Sequence, residues 1–369
     1  MFGAWTAYQL RRSGRTIALV DGYGAANSRS SSGGETRLMR AGYGADAFYT
    51  DWARASMEMW KEFFRLAGQA LFEQTGVLWL AHPDDQYVEQ TEQTLRAVGA
   101  RCQRLSLDQL RAQFPQIATR GLVGALVEPD AGVLMARRAV RLLVQQTLKL
   151  GGVVRPDRIV PPTGSGTLDA VTTSEGDEIR GEQFVFACGP WLAGLFPDLL
   201  ADRMNVTRQE VFFFGPRGGD RRFAPPQLPA WLDMGEAVYG IPDLQRRGVK
   251  FAFDRHGAPF DPDSDDRVLT DRALAEMRAF VAMRFPALAE APLLEGRVCQ
   301  YCCTSSNDFL ISRHPSFTNV WLLGGGSGHG FKHGPSVAQH LVNHIELGRA
   351  LDPRFSLATK DTVQQRLVF

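Results

Sequence analysis

Charge of one sign is what this chain has least of. It carries 41 basic and 40 acidic side chains, a formal net charge of +1. That balance gives no electrostatic pull toward nucleic acid or an anionic membrane, and neither is expected as a partner. Cysteine is also scarce, five in 369 residues and an odd number. This excludes a disulfide framework and makes a reducing, cytoplasmic setting the expected one. No apolar run approaches the ~20 residues that a membrane helix needs. Met1-Phe2-Gly3-Ala4-Trp5 has neither a basic leader nor a small-residue cleavage site, so it does not read as a signal peptide. Internal repeats, heptads and low-complexity linkers are absent from the sequence. What remains is an ordinary globular composition, 44% hydrophobic and 22% charged, long enough for two cores.

The N-terminal segment reads as half of a dinucleotide-binding βαβ unit. Ala4 to Arg12 is expected to be helical and to stop at Gly14. Thr16-Ile17-Ala18-Leu19-Val20 is a short apolar run ending in Asp21, the signature of a buried parallel strand. Such units open with a strand and G-x-G-x-x-G, and an acidic residue about 20 positions on binds the ribose. Gly3 and Asp21 fit the third glycine and that acid. The first strand and first two glycines would then lie ahead of Met1, and the expectation is a chain that lacks them.

Further along, residues 46 to 68, 85 to 99, 107 to 114, 134 to 150 and 270 to 284 read as helices. Leu168 to Thr172 and Gln183 to Ala187 are expected to pair around the turn Glu175-Gly176-Asp177. Between 205 and 298 the runs Val211 to Phe214, Val238 to Ile241 and Val249 to Phe253 are strand-like. The expected fold is α/β (α+β, two-domain). Its Rossmann-like nucleotide domain is discontinuous (1–75, 130–204 and 299–369). The inserted, mostly antiparallel substrate domain comprises 76–129 and 205–298.

Chemistry is concentrated late in the chain. Cys299-Gln300-Tyr301 is followed by the strand Val320-Trp321-Leu322-Leu323 and then by Gly324-Gly325-Gly326-Ser327-Gly328-His329-Gly330-Phe331-Lys332. A cysteine ahead of a glycine-rich turn that delivers His329 and Lys332 suits a covalently held flavin. Read alone, Cys299 is equally a small core hydrophobe, Lys250 an exposed strand lysine, and Arg37 with Arg40 two solvated arginines. His329 reads either as a pocket residue or as a turn histidine bonded to backbone. Two metal patterns fail. Asp261-x-Asp263-x-Asp265 has Asp266 where a calcium loop needs Gly, and His340-x-x-x-His344 lacks the acid of a zinc-protease motif.

Five segments resemble the monomeric sarcosine oxidase family, which includes N-methyltryptophan oxidase. They are Gly3 to Leu10 with Leu19-Val20-Asp21, Thr36-Arg37-x-x-Arg40, Tyr239-Gly240-x-Pro242 with Gly248-Val249-Lys250, Cys299-x-Tyr301 with Phe309-Leu310-Ile311, and Ser327 to Lys332. The resemblance runs from Gly3 to the C-terminal helix. It implies a monomeric oxidase that holds FAD through a thioether to Cys299, with Gly3, Asp21, Ser31, Thr36, Arg37, Gly189, Trp191, Gly328, Gly330, Phe331 and Lys332 around the cofactor. Arg40 and Lys332, with Tyr239, would bind the carboxylate of a secondary amine, and Lys250 would assist reduction of O2. Arg37, Tyr239, His329 and Asp254 complete the implied catalytic set. Asp254 departs from the histidine of sarcosine-specific members, which argues for a different or larger amine. The implied products are an imine, which hydrolyses, and H2O2. A dehydrogenase with another electron acceptor, or an inactive scaffold, are the alternative readings.

Overall fold

Hydrophobic spacing and local caps account for the longest helix of the computed structural model, which describes residues 1–360. In Ala47–Ala67 the buried side chains Tyr49, Ala53, Met57, Trp60 and Phe64 recur at helical spacing. Asp46 accepts a hydrogen bond from Tyr49 N at its start, and left-handed Gly68 ends it. The first helix, Phe2–Arg12, packs between Gly334–Leu347 and Ala136–Lys149. Its Trp5 meets Trp60 edge-on at 4.9 Å.

Two small parallel pairings flank that first helix. Ala18–Val20 pairs with Val153–Arg155. Phe184–Phe186 pairs with Val320–Gly324, whose other edge takes Leu310–Arg313 antiparallel. These are separate sheets, and one cavity is lined by both. The strand pair expected around Gly176 differs from the sequence reading. Ala170–Thr172 pairs with Glu178–Arg180, the first residues beyond the turn, whereas Phe184–Phe186 joins the other sheet. A tight turn commits the residues next to it, and the apolar run after them is freed for parallel pairing.

The rest of the architecture is an eight-stranded sheet. Its order is Leu293–Thr304, Met204–Phe214, Val249–Phe253, Val238–Ile241, Ala230–Asp233, Val77–Ala81, Gly124–Glu128, Gln103–Ser106. All neighbours are antiparallel except Ala230–Asp233 and Val77–Ala81, which run parallel. Strands from 76–129 and from 205–298 therefore share one sheet. Leu293–Thr304 is continuous through 299, so Cys299 stands on this large sheet rather than at the start of a new segment. One face buries Phe212, Phe214, Trp231 and Phe251 against Phe280 and Phe285 from the helix Asp271–Arg284 and the turn after it. The expected segment 299–369 ends outside the described residues.

Candidate active site

A cavity of about 1670 Å³ runs beneath the first helix and reaches the large sheet. That exceeds the several hundred to 1,000 Å³ typical of a small-ligand pocket and leaves room for a dinucleotide. Sequence-expected residues Gly3, Asp21, Ser31, Arg37, Gly189, Trp191, Tyr239, Lys250, Cys299, Gly328, Gly330 and Phe331 all line it. The sequence spreads them over almost the whole chain, and the fold gathers them.

Gly3 allows the close approach of helix and strand, because a Cβ there would lie 3.0 Å from Ala187 Cβ. Asp21 follows its strand, accepts from Tyr23 N at 3.0 Å, and has its carboxyl pushed upward chiefly by burial. Tyr23 lies against Trp191, with ring centroids 5.5 Å apart. The N-terminus of Phe2–Arg12 carries no side-chain cap and contributes Phe2 and Gly3 to the wall, a setting that favours a phosphate. Ser31 Oγ, on the wall, is buried without a hydrogen-bond partner, and so is Thr36 Oγ1, although Thr36, expected beside the cofactor, is not among the wall residues. An orphaned wall hydroxyl, a helix N-terminus and a strand-end carboxylate are a donor and acceptor set that fits FAD.

A second group surrounds Cys299. Arg297, Cys299 and Tyr301 alternate along one strand and all reach the cavity. Cys299 Sγ lies 3.9 Å from Arg37 Nη2 and 3.7 Å from Ser31 O. Cys302 and Cys303 have other partners: Cys302 also lines the cavity but its Sγ donates to Gly189 O at 3.5 Å, and Cys303, off the wall, has its Sγ 3.4 Å from His256 Nε2. Burial pushes the Cys302 thiol up to about 12, which disfavours the nucleophilic thiolate. Lys250 Nζ donates to Thr36 O at 3.3 Å and sits 5.3 Å above the Tyr239 ring. Burial, and then the Arg37 guanidinium, pull its pKa well below the usual lysine range. Gly328 has φ +81°, and a Cβ there would meet the Tyr301 ring at 2.9 Å, so the turn closes on Tyr301 only because that residue is glycine.

Arg40 and Lys332 are brought together, but behind this wall. They are 2% and 4% exposed. The Arg40 guanidinium lies 4.6 Å and the Lys332 ammonium 4.8 Å from the centroid of one ring, Tyr43. Arg40 also donates to Gly42 O, and Lys332 to His329 O at 3.3 Å. Burial and then Arg40 hold the Lys332 pKa well below its ordinary value. His329 is off the wall as well. Its ring bonds Tyr43 Oη at 3.0 Å and Asn307 O at 3.1 Å, so the backbone-bonded reading of this histidine describes its place. Asp254 stands outside the wall and accepts from Tyr301 Oη at 3.0 Å. The helix entered through Pro335 abuts Met1 and Trp5 at Gly334. Neither failed metal pattern gathers ligands: His340 Nε2 accepts from Asp352 N at 2.9 Å, and Asp261 caps its own loop through Asp263 N at 2.8 Å.

Sequence reading passed over Tyr43, Glu128 and His333. Tyr43 Oη is 2.7 Å from His333 Nε2. Glu128, 3% exposed, accepts from Ala41 N at 2.8 Å and Trp79 Nε1 at 2.7 Å and so fixes the segment that carries Arg40. The signal was Ala41-Gly42-Tyr43-Gly44, an aromatic between glycines directly after Arg40.

Comparison with known proteins places the chain in a family. The family described as FAD dependent oxidoreductase matches residues 1–344. Peroxisomal sarcosine oxidase of Homo sapiens is 30% identical, over 96% of this chain and 92% of that protein. Monomeric sarcosine oxidase of Bacillus sp. (strain B-0618) is 26% identical, over 92% of this chain and 88% of that protein. Among solved structures, L-proline dehydrogenase from P. horikoshii superposes with a TM-score of 0.81 at 18% identity, over 96% of this chain and 93% of that one, a likeness of fold.

Proposed function

The chain belongs to the FAD dependent oxidoreductase family, and we propose that it oxidises a secondary amine, an N-methyl or cyclic amino acid, with O2 as electron acceptor. The observation that carries this reading is the convergence of Arg37, Tyr239, Lys250 and Cys299 on one dinucleotide-sized cavity, with Arg40 and Lys332 paired next to it. The sarcosine oxidase names of relatives at up to 30% identity support the same substrate class.

Bound FAD supplies the acceptor for a hydride equivalent from the carbon next to nitrogen and a route for the electrons to O2. The residues of the chain do the rest. Arg40 and Lys332 hold the substrate carboxylate through charge-assisted hydrogen bonds, and Tyr43 holds the two cations in place. Lys250 provides a fixed cation where O2 gains charge. Asp254, gripped by Tyr301, puts a carboxylate near that clamp and favours an amine larger or more polar than sarcosine. The released imine hydrolyses in water, and reduced O2 leaves as H2O2.

The carrying experiment is a panel of N-methyl and cyclic amino acids with peroxide as readout. Peroxide formed in proportion to amine consumed supports the reading, and no peroxide with any member rejects it. A second expectation concerns attachment. Acid-precipitated protein should retain its flavin, and Cys299→Ser should release it into the supernatant, whereas Cys302→Ser and Cys303→Ser should not. Flavin set free from the unsubstituted protein contradicts the thioether.

A further inference from the structure

Beside Lys250 lies a cluster of guanidinium groups that the function above leaves unused. Glu35 and Arg297 stand on the cavity wall. Glu35 Oε1 is 3.3 Å from Arg297 Nη1, 3.1 Å from Arg137 Nη1 and 3.9 Å from Arg247 Nη2. Arg247 also pairs with Glu295 at 2.5 Å, and Arg297 lies 3.8 Å from the same carboxylate. Arg37, two residues from Glu35, faces the cavity too. Three guanidiniums thus meet two carboxylates, an excess of one positive charge, and Arg37, which donates to Ser31 O and Thr36 O rather than to either carboxylate, adds a second beside them. The cluster's influence extends to the reacting end, since Arg37 and Arg297 both contribute to the lowered pKa of Lys250.

The cluster is also graded from solvent to cavity. Side-chain exposure falls from 36% at Arg247 through 23% at Arg137 to 19% at Arg297 and 17% at Glu35. Arg247 Nε is a buried donor with no partner. A planar guanidinium is the side chain best matched to a carboxylate, and here three of them share a single internal one. An entering carboxylate would meet donors that are already placed and a field that attracts it.

We propose that this cluster is a second anion-binding subsite, which takes an acidic group of the substrate beyond its α-carboxylate. The preferred amines are then N-substituted amino acids with an acidic side chain. This inference rests on the amine-oxidase reading and deepens it.

The test is binding rather than turnover. FAD-loaded protein is titrated with malonate, glutarate and adipate and with propionate, valerate and hexanoate, the monocarboxylates of matching chain length, following the flavin absorbance. At least one dicarboxylate should bind about tenfold more tightly than its match. That advantage should shrink as salt is raised, because the cluster is partly exposed. Arg247→Gln and Arg137→Gln should each reduce it severalfold without changing monocarboxylate affinity, and Glu35→Gln should enlarge it. Equal affinities within every matched pair overturn the proposal, as does an advantage untouched by both arginine substitutions. Should the substituted chains not fold, the matched pairs and their salt dependence in the unsubstituted protein decide alone. Failure of the amine-oxidase reading looks different: dicarboxylates would still bind preferentially, but no N-methyl amino acid would yield peroxide.

Discussion

Lys250→Met should slow reoxidation of the reduced flavin by O2 about 10²- to 10³-fold, the usual scale for removing one pre-placed electrostatic contact. Anaerobic flavin reduction by the amine should change far less. Lys250 is 3% exposed and held by Thr36 O, so methionine fits its stem while deleting the charge. Lys332→Met should give the opposite pattern. Its loss removes one charge-assisted contact to the carboxylate, worth about 1.5–3 kcal/mol, or about 10- to 150-fold in amine affinity. Its reoxidation should remain nearly normal. Stopped-flow traces of both half-reactions read the two effects separately. Acidity supplies a further check. Burial and Arg37 lower the Lys250 pKa, so the cation is lost below the pH at which an ordinary lysine deprotonates. The reoxidation rate should therefore fall with rising pH on a limb well below the usual lysine value, and Lys250→Met should abolish that limb. Normal reoxidation in Lys250→Met would favour an acceptor other than O2.

Asp233→Ala should destabilise the protein by about 3–5 kcal/mol, because it leaves a buried guanidinium without its counter-ion. Asp233 and Arg284 are 0% and 1% exposed. Asp233 Oδ2 is 2.9 Å from Arg284 Nε, and its other oxygen is 2.5 Å from His82 Nε2. Arg284 also donates to Ala118 O at 2.8 Å and Arg120 O at 2.9 Å. One buried pair thus ties the strand Ala230–Asp233 to the helix Asp271–Arg284 and to the loop before Gly124–Glu128. Calorimetry should record a fall of roughly 10 °C, at a few degrees per kcal/mol. Asp233→Leu with Arg284→Met should lose less than the single change, since no charge is then stranded. A single substitution that shifts melting by only a degree would contradict this account of the knot.

Local signals explain which parts of this structure could be read from the residues. The helix Ala47–Ala67 follows a 3.6-residue apolar period between an Asp cap and a Gly stop, so its bounds were visible. Val238–Ile241 and Val249–Phe253 are short β-rich runs with glycine nearby, and they were visible too. Leu293–Thr304 was not, because Glu295, Gly296 and Arg297 interrupt its apolar content, and its 11-residue pairing with Met204–Phe214 is what makes it a strand. The site divides in the same way. Gly3, Asp21, Lys250 and Cys299 lie in recognisable local settings. The placing of Arg40 and Lys332 over Tyr43 joins positions almost 300 residues apart in sequence, and Glu128 acts on Arg40 through backbone amides. Neither pairing can be read from a local pattern, although the glycine-flanked Tyr43 directly after Arg40 marks one of the members. Asp233 and Arg284 pair across a helix and a strand with ordinary residues around them, and nothing in the sequence joins the two.

One single-turnover experiment bears most directly on the central claim. Purified FAD-loaded protein is mixed anaerobically with an N-methyl or cyclic amino acid, the flavin absorbance is followed, and air is then admitted. The account requires the flavin band to bleach on mixing and to return with air, with one equivalent each of carbonyl product and H2O2 per flavin. A band that stays unbleached across the whole amine panel, in protein shown to hold FAD, would contradict it.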